Sequence, residues 1–306
     1  MSLALLCPGQ GAQHPAMFDY SADAPAAEAV LAAAAQVLGA DPRALAGADA
    51  RYDNAVAQPL VCAVALANAA ALLPQLPTPA LLLGYSIGEL AAHALAGGMD
   101  AFACLALARR RAQRMDAASR KGDSLIAVQG LLRDAAETLC AQTGLHLAIV
   151  NGDDHLILGG HADALAQGER QARAQRARVT RLPVAVAAHT PLLASAAQAF
   201  AADLRAAPLA APRAALLAGI DGHRIGDRDD AIGALSAQLA TTLDWAGTLR
   251  QAAERGARVF LELGPGGALA RIARALLPQC QARSVEEFGS LAAAAAWARQ
   301  AEQRMQ

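Results

Sequence analysis

The chain has 306 residues, of which 55% are hydrophobic, 17% charged and only 3% aromatic. This composition excludes an intrinsically disordered protein, and the length suits one large α/β domain with an insertion as well as it suits two ordinary domains. The 27 acidic and 26 basic residues give a net charge of −1, which offers no basis for a nucleic-acid or membrane-surface partner.

Three features predict a cytoplasmic protein that crosses no membrane. The N-terminal residues 1–7 are apolar but lack the positive charge that begins a secretory signal. The longest apolar run, residues 60–73, contains Asn68 and is shorter than the ~18 residues that a spanning helix needs. The cysteines are odd in number and lack CxxC spacing, which is typical of reduced thiols. They are Cys7, Cys62, Cys104, Cys140 and Cys280.

The first part of the chain predicts alternating strands and helices. A buried strand over residues 3–7 leads into the turn-rich loop 8–11, and a second short apolar strand covers residues 81–83. Helices are predicted over residues 26–38, 59–73 and 89–95, and a long one runs to Ser119 with Asp100 as its N-cap. This order predicts an α/β fold with a parallel sheet.

Residues 123–188 have a different pattern. Strands are predicted at 124–128, 145–150, 155–158 and 179–184, and helices at 134–142 and 162–177. The order β-α-β-β-α-β is that of a ferredoxin-like domain. We therefore predict a ferredoxin-like insert over 123–188 within a larger domain formed by 1–122 and 189–306, in which residues 259–263 return as a strand.

The motif Gly84-Tyr85-Ser86-Ile87-Gly88 lies between a predicted strand and a predicted helix. In that setting G-x-S-x-G places a serine on a tight corner, where its hydroxyl is exposed and nearby backbone N–H groups can stabilise an oxyanion. A second N–H donor could come from the loop at Gln10, although such glycine loops are more often simple turns. Ser86 is the candidate nucleophile.

A serine nucleophile needs a base, and the chain has seven histidines. His189 is the strongest candidate because it lies where the insert returns to the main domain, whereas His93 is expected to point away. Arginines on the helix after the elbow are usually solvated, but one turned inward would offer a planar fork to a substrate carboxylate. The candidates are Arg109, Arg110, Arg111 and Arg114.

Seven segments in order make the chain resemble the malonyl-CoA:acyl carrier protein transacylase family over almost its whole length. They are residues 7–13 (CPGQGAQ), Gln58-Pro59, Ser86 with Glu89, Arg111 with Met115, Ala188-His189-Thr190, Asp244-Trp245, and residues 263–266 (LGPG). The resemblance implies an α/β-hydrolase-like domain interrupted by a ferredoxin-like one, in agreement with the pattern along the chain.

The same resemblance implies roles for individual residues. Ser86 would be the nucleophile, His189 its base, and the backbone N–H groups of Gln10 and Ile87 the oxyanion hole. Arg111 would bind the malonyl carboxylate. A main-chain carbonyl near the strand before Gly264 would orient the histidine. It further implies ping-pong transfer from malonyl-CoA to the phosphopantetheine-type thiol of an acyl carrier protein, with no metal and no tightly bound cofactor.

One position departs from the family pattern. Tyr85 stands where the family usually has histidine, and together with the run at 187–193 (AAHTPLL) it is most similar to the epsilon subunit of malonate decarboxylase. That resemblance implies a decarboxylase carrier as acceptor. The alternatives are a malonyl transacylase of fatty-acid or polyketide synthesis and a serine hydrolase. The candidate docking face for the carrier comprises Arg170, Arg173, Arg176, Arg178 and Arg181. The alternative interpretation of these arginines is a solvated helix face.

Overall fold

A computed structural model describes residues 3–305 and contains two β-sheets. The strands are β1 (Leu3–Cys7), β2 (Leu81–Gly84), β3 (Ser124–Gln129), β4 (His146–Val150), β5 (His155–Gly160), β6 (Arg178–Arg181), β7 (Leu216–Leu217), β8 (Val259–Glu262) and β9 (Gln281–Ser284). The helices are α1 (Pro25–Leu38), α2 (Pro42–Gly47), α3 (Asn54–Leu72), α4 (Gly88–Leu95), α5 (Ala101–Ala118), α6 (Arg133–Thr143), α7 (Ala162–Ala174), α8 (Ala194–Ala206), α9 (Arg228–Ala237), α10 (Trp245–Glu254), α11 (Ala268–Leu276) and α12 (Leu291–Arg304).

The larger sheet has five strands in the order β7-β2-β1-β8-β9, and all its pairs are parallel. Every residue of β1, β2 and β8 is buried, as expected for central parallel strands covered by helices on both faces. The carboxyl ends of β1 and β2 are adjacent, with Cys7 paired to Gly84. The glycine loop after β1 and the serine elbow after β2 therefore meet at one edge, where α/β proteins commonly bind ligands.

The smaller sheet is antiparallel, with the order β4-β5-β3-β6, and it confirms the predicted ferredoxin-like arrangement. Its two faces pack differently because side chains alternate along each strand. Ile126 and Leu158 belong to a small core beneath α6 and α7. Leu125 and Ile157 belong instead to the main core of the protein. One face of the smaller sheet is thus part of the larger domain's interior.

The edge strand β4 also bonds directly to a residue outside the insert. Val150 donates its main-chain N–H to the Leu243 carbonyl (2.9 Å), and the Leu243 N–H bonds to the Ala148 carbonyl (3.0 Å). Leu243 therefore pairs with β4 as a single bridge residue.

Helix α3 differs from its prediction. It begins at Asn54 and continues through Pro59, whereas the sequence pattern placed its start at the proline. The stretch Asn54–Gln75 is long and apolar enough to cross a membrane by length and composition alone, with a mean hydropathy of 1.9, so the expectation that this segment is too short was wrong. Since 78% of its apolar window is buried inside the protein, it packs here as a core helix.

The end of the insert also differs from the prediction. Helix α7 ends at Ala174, three residues early, because Arg176 adopts a left-handed backbone with φ +64° and the chain turns there. Strand β6 ends at Arg181 and not at Val184. Pro183 has no N–H to give to a ladder, and the Val184 N–H bonds back to the Leu182 carbonyl (2.8 Å).

Candidate active site

The elbow after β2 is formed as its motif predicts. Ser86 has φ +54°, a left-handed conformation that ordinary side chains rarely adopt. Its flanking glycines are required by space. A Cβ on Gly84 would lie 2.2 Å from the Glu89 Cα, and one on Gly88 would lie 2.2 Å from the Cys7 carbonyl oxygen. Only hydrogen fits where β1, β2 and α4 converge, and this packing sets the serine at the sheet edge.

Ser86 and His189 are in direct contact. The Ser86 Oγ lies 2.8 Å from His189 Nε2, and His189 Nδ1 lies 2.6 Å from the main-chain oxygen of Gln238. Because a carbonyl can only accept, Nδ1 carries the proton, and Nε2 is left as an acceptor for the serine O–H. A main-chain carbonyl does orient the histidine, but the expectation that it lies near the strand before Gly264 was wrong. It comes from the residue after α9, which the sequence pattern does not single out.

The surroundings keep His189 neutral. Burial, reinforced by the nearby positive charge of Arg111, lowers its pKa to about 3, although the hydrogen bond to Gln238 opposes the shift. Its own backbone is held as well, with φ +62° and an N–H bond to the Leu239 carbonyl (2.9 Å). A neutral, fixed imidazole beside a serine hydroxyl is the arrangement of a general base.

Among the four arginines of α5 the structure turns Arg111 inward, with 1% of its surface exposed. Its Nη1 donates to Gln58 Oε1 (2.8 Å), and its Nη2 lies 3.4 Å from the Ser86 Oγ. Burial lowers its pKa to about 10, so it is a cation at neutral pH. A buried guanidinium next to the serine can accept a carboxylate on the acyl group.

The other three arginines of α5 serve structural contacts. Arg109 bonds to the carbonyl of Val37, and Arg114 pairs with Asp203 at 2.8 Å, with Arg110 nearby at 4.0 Å from the same carboxylate. His93 is fully buried, neither of its ring nitrogens has a hydrogen-bond partner within residues 3–305, and burial lowers its pKa to about 4. The hydrogen bond of Ser86 thus goes to His189 and not to His93.

Three polar residues of this site were not predicted as functional. Gln58 holds the Arg111 guanidinium, and Gln238 contacts Arg111, His189 and Glu89. Gln58 and Glu89 occur in the segments that carry the family resemblance, so a signal for them existed. Gln238 lies in no recognisable motif and becomes apparent only in three dimensions.

Tyr85, the residue that departs from the family pattern, fits closely into the elbow. Its ring packs edge-on against Trp245, with 5.3 Å between ring centroids. Burial raises the pKa of its phenol, and a hydrogen bond with the Asn151 side chain opposes that shift. A Cβ on Gly9 would lie 2.9 Å from the tyrosine ring. Tyr85 therefore touches the β1 loop, α10 and the turn after β4.

A cavity of about 320 Å³ opens in front of Ser86 and His189. It lies between the carboxyl edge of the larger sheet and the inner face of the smaller one, and Gln10 lies on its rim. Its apolar walls include Leu125, Ile149, Ile157, Val184 and Ile272. Within residues 3–305 no group of three or more His, Cys, Asp or Glu side chains could hold a metal ion. The walls in front of Ser86 therefore favour a largely apolar segment of a ligand.

Comparison with known proteins gives a consistent result. Residues 4–304 match the family model of the acyl transferase domain. The malonyl CoA-acyl carrier protein transacylase of Mycobacterium tuberculosis is 31% identical over 94% of this chain and 98% of its own.

Solved structures agree with this match. The transacylase of the same name from Coxiella burnetii superimposes with a TM-score of 0.91 at 26% identity, covering 97% of this chain and 98% of that one. A malonyl-transacylase in complex with its type II polyketide synthase acyl carrier protein superimposes with a TM-score of 0.92 at 25% identity, covering 97% of this chain and 99% of the other.

Proposed function

We infer that this chain, which belongs to the acyl transferase domain family, is an acyltransferase that moves a malonyl group from coenzyme A to the thiol of an acyl carrier protein. The observation that carries the proposal is the contact of the Ser86 Oγ with both His189 Nε2 (2.8 Å) and Arg111 Nη2 (3.4 Å). A nucleophile, its base and a cation for the acyl carboxylate thus lie at one point.

The proposed reaction is a ping-pong transfer. His189 takes the Ser86 proton as Oγ attacks the thioester carbonyl, while the N–H groups of Gln10 and Ile87 bind the oxyanion. The carbon–sulfur bond breaks, and coenzyme A leaves as a thiol with the proton from His189. The carrier thiol then gives its proton to His189 and attacks malonyl-Ser86. The ester bond to the Ser86 Oγ breaks, and His189 returns the proton to that oxygen.

The test is direct labelling of the nucleophile. Incubation with malonyl-CoA and no acceptor should add one malonyl group to the peptide that contains Ser86, and Ser86→Ala should abolish it. Ser119→Ala, at a residue whose hydroxyl bonds to the Met115 carbonyl (2.8 Å), is the matched control and should be labelled like wild type. A malonyl group found on another residue, or active enzyme without any label, would contradict the mechanism.

The finer proposal concerns the acceptor, which we propose to be the carrier subunit of malonate decarboxylase. Its support is the resemblance at Tyr85 and at residues 187–193. The carrier of that enzyme bears a prosthetic group that also ends in a pantetheine thiol, so the chemistry at Ser86 is unchanged. Discrimination between carriers would then come from surface contacts.

The exposed arginines of the insert are the proposed docking face for an acidic carrier. Arg170, Arg176 and Arg178 are exposed around the end of α7 and the edge strand β6, while Arg181 pairs with Glu169. Docking of this kind acts mainly on association rate and weakens with salt.

A competition assay tests the acceptor. The decarboxylase carrier and a fatty-acid-synthesis carrier are offered together at equal concentration, and malonylation of each is followed by mass spectrometry. The proposal expects the decarboxylase carrier to be labelled first. Equal labelling, or preference for the second carrier, would assign the protein to fatty-acid or polyketide synthesis. Rapid release of free malonate without any carrier would instead favour a serine hydrolase.

A further inference from the structure

A buried carboxylate lies behind Arg111. Glu89 is in the first turn of α4, and none of its surface is exposed. Its Oε2 accepts from the Gly219 N–H (3.1 Å) and from Gln238 Nε2 (3.0 Å), whereas Oε1 has no partner within residues 3–305. The reaction proposed above does not use this group.

The side chain of Gln238 connects Glu89 to Arg111. Its amide nitrogen faces the carboxylate, and its amide oxygen lies 3.5 Å from Arg111 Nη2. An amide can satisfy an anion and a cation together in only one orientation, with NH₂ toward the anion and oxygen toward the cation. The main-chain oxygen of the same residue holds His189 Nδ1. A change at Glu89 therefore reaches both the cation and the base.

Arg111 has no direct counter-ion in the part of the chain that the structure describes. No carboxylate oxygen in residues 3–305 lies within 4.0 Å of its guanidinium, and its Nε has no partner. Two ionisable groups act on the charge of Arg111: the Cys62 thiol on α3 and, across Gln238, the Glu89 carboxyl group. Buried charges interact strongly even across an intervening side chain such as Gln238, because little solvent screens them.

We propose that Glu89 is a positioning residue whose proton controls how strongly Arg111 attracts the malonyl carboxylate. With the proton on Glu89, the guanidinium charge is available to the substrate. Without it, the Glu89 anion offsets that charge and repels a second carboxylate. The inference rests on the proposed function, since it assigns Arg111 to the malonyl group. An acetyl group has no carboxylate and should not sense the change.

The surroundings of Glu89 place this titration in an accessible pH range. Burial raises its pKa to about 8, while the Gly219 N–H and the charges of Arg111 and His223 oppose the shift. The charge of Asp221, which lies with His223 in the turn after β7, also raises the pKa of Glu89. Burial lowers the pKa of His93, on the same helix, to about 4, and it raises the pKa of the Cys7 thiol on β1. Of the carboxyl groups, Glu89 is thus the one that acts on Arg111 and is expected to change charge near pH 8.

The experiment measures kcat/KM for malonyl-CoA and for acetyl-CoA between pH 6.5 and 9.5. Their ratio removes every titration that the two reactions share, including that of the acceptor thiol. In wild type the ratio of kcat/KM for malonyl-CoA to that for acetyl-CoA should fall by about tenfold as the pH rises through 8. A tenfold change corresponds to an interaction of one pKa unit between the two ionised groups. Glu89→Gln keeps the acceptor oxygen for Gln238 but cannot ionise, so its ratio should stay high and flat.

Glu262→Gln is the matched control. Glu262 on β8 is buried, its pKa is also raised to about 8 by burial, and its Oε2 accepts from the Ala270 N–H (2.8 Å) without contacting Arg111. This variant should keep the wild-type pH dependence of the ratio. A wild-type ratio that does not vary with pH, or a dependence that survives Glu89→Gln or disappears in Glu262→Gln, would overturn the inference alone. Failure of wild type to accept malonyl at any pH would overturn the proposed function.

Discussion

Ser86 and His189 both have left-handed backbones, with φ +54° and +62°. For residues other than glycine such conformations cost about 1–3 kcal/mol each and persist where the surrounding packing imposes them. At Ser86 the convergence of β1, β2 and α4 imposes it. At His189 the two bonds to the turn after α9 do so. The strain at the elbow follows from its motif, but no pattern in the sequence predicts it at the histidine.

At the scale of the single residue, His189→Ala should slow acylation by roughly 10²–10⁴-fold, the usual contribution of a general base. Because the pKa of His189 is lowered to about 3, the imidazole is in its active neutral form throughout the range from pH 5 to 8. The acylation rate should therefore show no loss in that range from protonation of this base, and loss should begin only as pH approaches 3. Single-turnover kinetics with malonyl-CoA measures both effects. An acid limb near pH 6.5 that disappears in His189→Ala would show that the histidine titrates normally.

Replacement of Arg111 should separate malonyl from acetyl transfer. A charge-assisted hydrogen bond contributes about 1.5–3 kcal/mol, so Arg111→Ala should lower malonyl transfer by about ten- to a hundredfold or more and leave acetyl transfer level or raised. Arg111→Lys should rescue poorly, since an ammonium cannot reproduce the planar fork. Arg110→Ala, at an exposed neighbour on α5, is the control. Equal loss with both acyl groups would show that Arg111 has a structural role.

At the scale of the element, the elbow should not tolerate a methyl group. Gly88→Ala places a Cβ 2.2 Å from a main-chain oxygen of β1, and such overpacking costs typically about 1–3 kcal/mol. We expect a lower Tm together with slower acylation. Gly233→Ala is the matched control, since nothing lies within 4 Å of its Cβ on the exposed face of α9, and alanine there should stabilise the helix by about 0.5–1 kcal/mol. Thermal unfolding of both variants would decide, and an unchanged Tm for Gly88→Ala would contradict this account of the elbow.

Elements were predictable where one local signal dominates. The apolar strand β1 and helix α5 with its Asp100 cap, whose carboxylate accepts from the Ala103 N–H (2.7 Å), form as expected. The start of helix α3 was misplaced because Pro59 suggests a helix start, yet burial of most of the helix outweighs one missing hydrogen bond. The candidate nucleophile Ser86 was predictable from its motif, whereas only the family resemblance selected Arg111 from the four arginines of α5. The role of Gln238 depends on contacts between distant segments, which no single stretch of sequence carries.

At the scale of the whole molecule, both sheets should unfold together, because Ile157 of the smaller sheet packs in the main core. Ile157→Ala removes a side chain with only 4% of its surface exposed, at an expected cost of about 2–5 kcal/mol. The fluorescence of Trp245 and Trp297, on α10 and α12 outside the insert, and far-UV circular dichroism should shift to the same lower midpoint. A separate early transition seen only by circular dichroism would show that the smaller sheet unfolds independently.

The bridge between β4 and Leu243 has a consequence for hybrid enzymes. The proposed insert, residues 123–188, bears the proposed docking face, so its exchange between relatives would be the obvious way to transplant carrier preference. Its edge strand, however, holds Leu243 through two main-chain bonds, and Leu243 follows closely on Gln238, which aligns the base. A graft must therefore match the register of that pairing as well as the surface charge. We expect hybrids designed on surface charge alone to misalign His189.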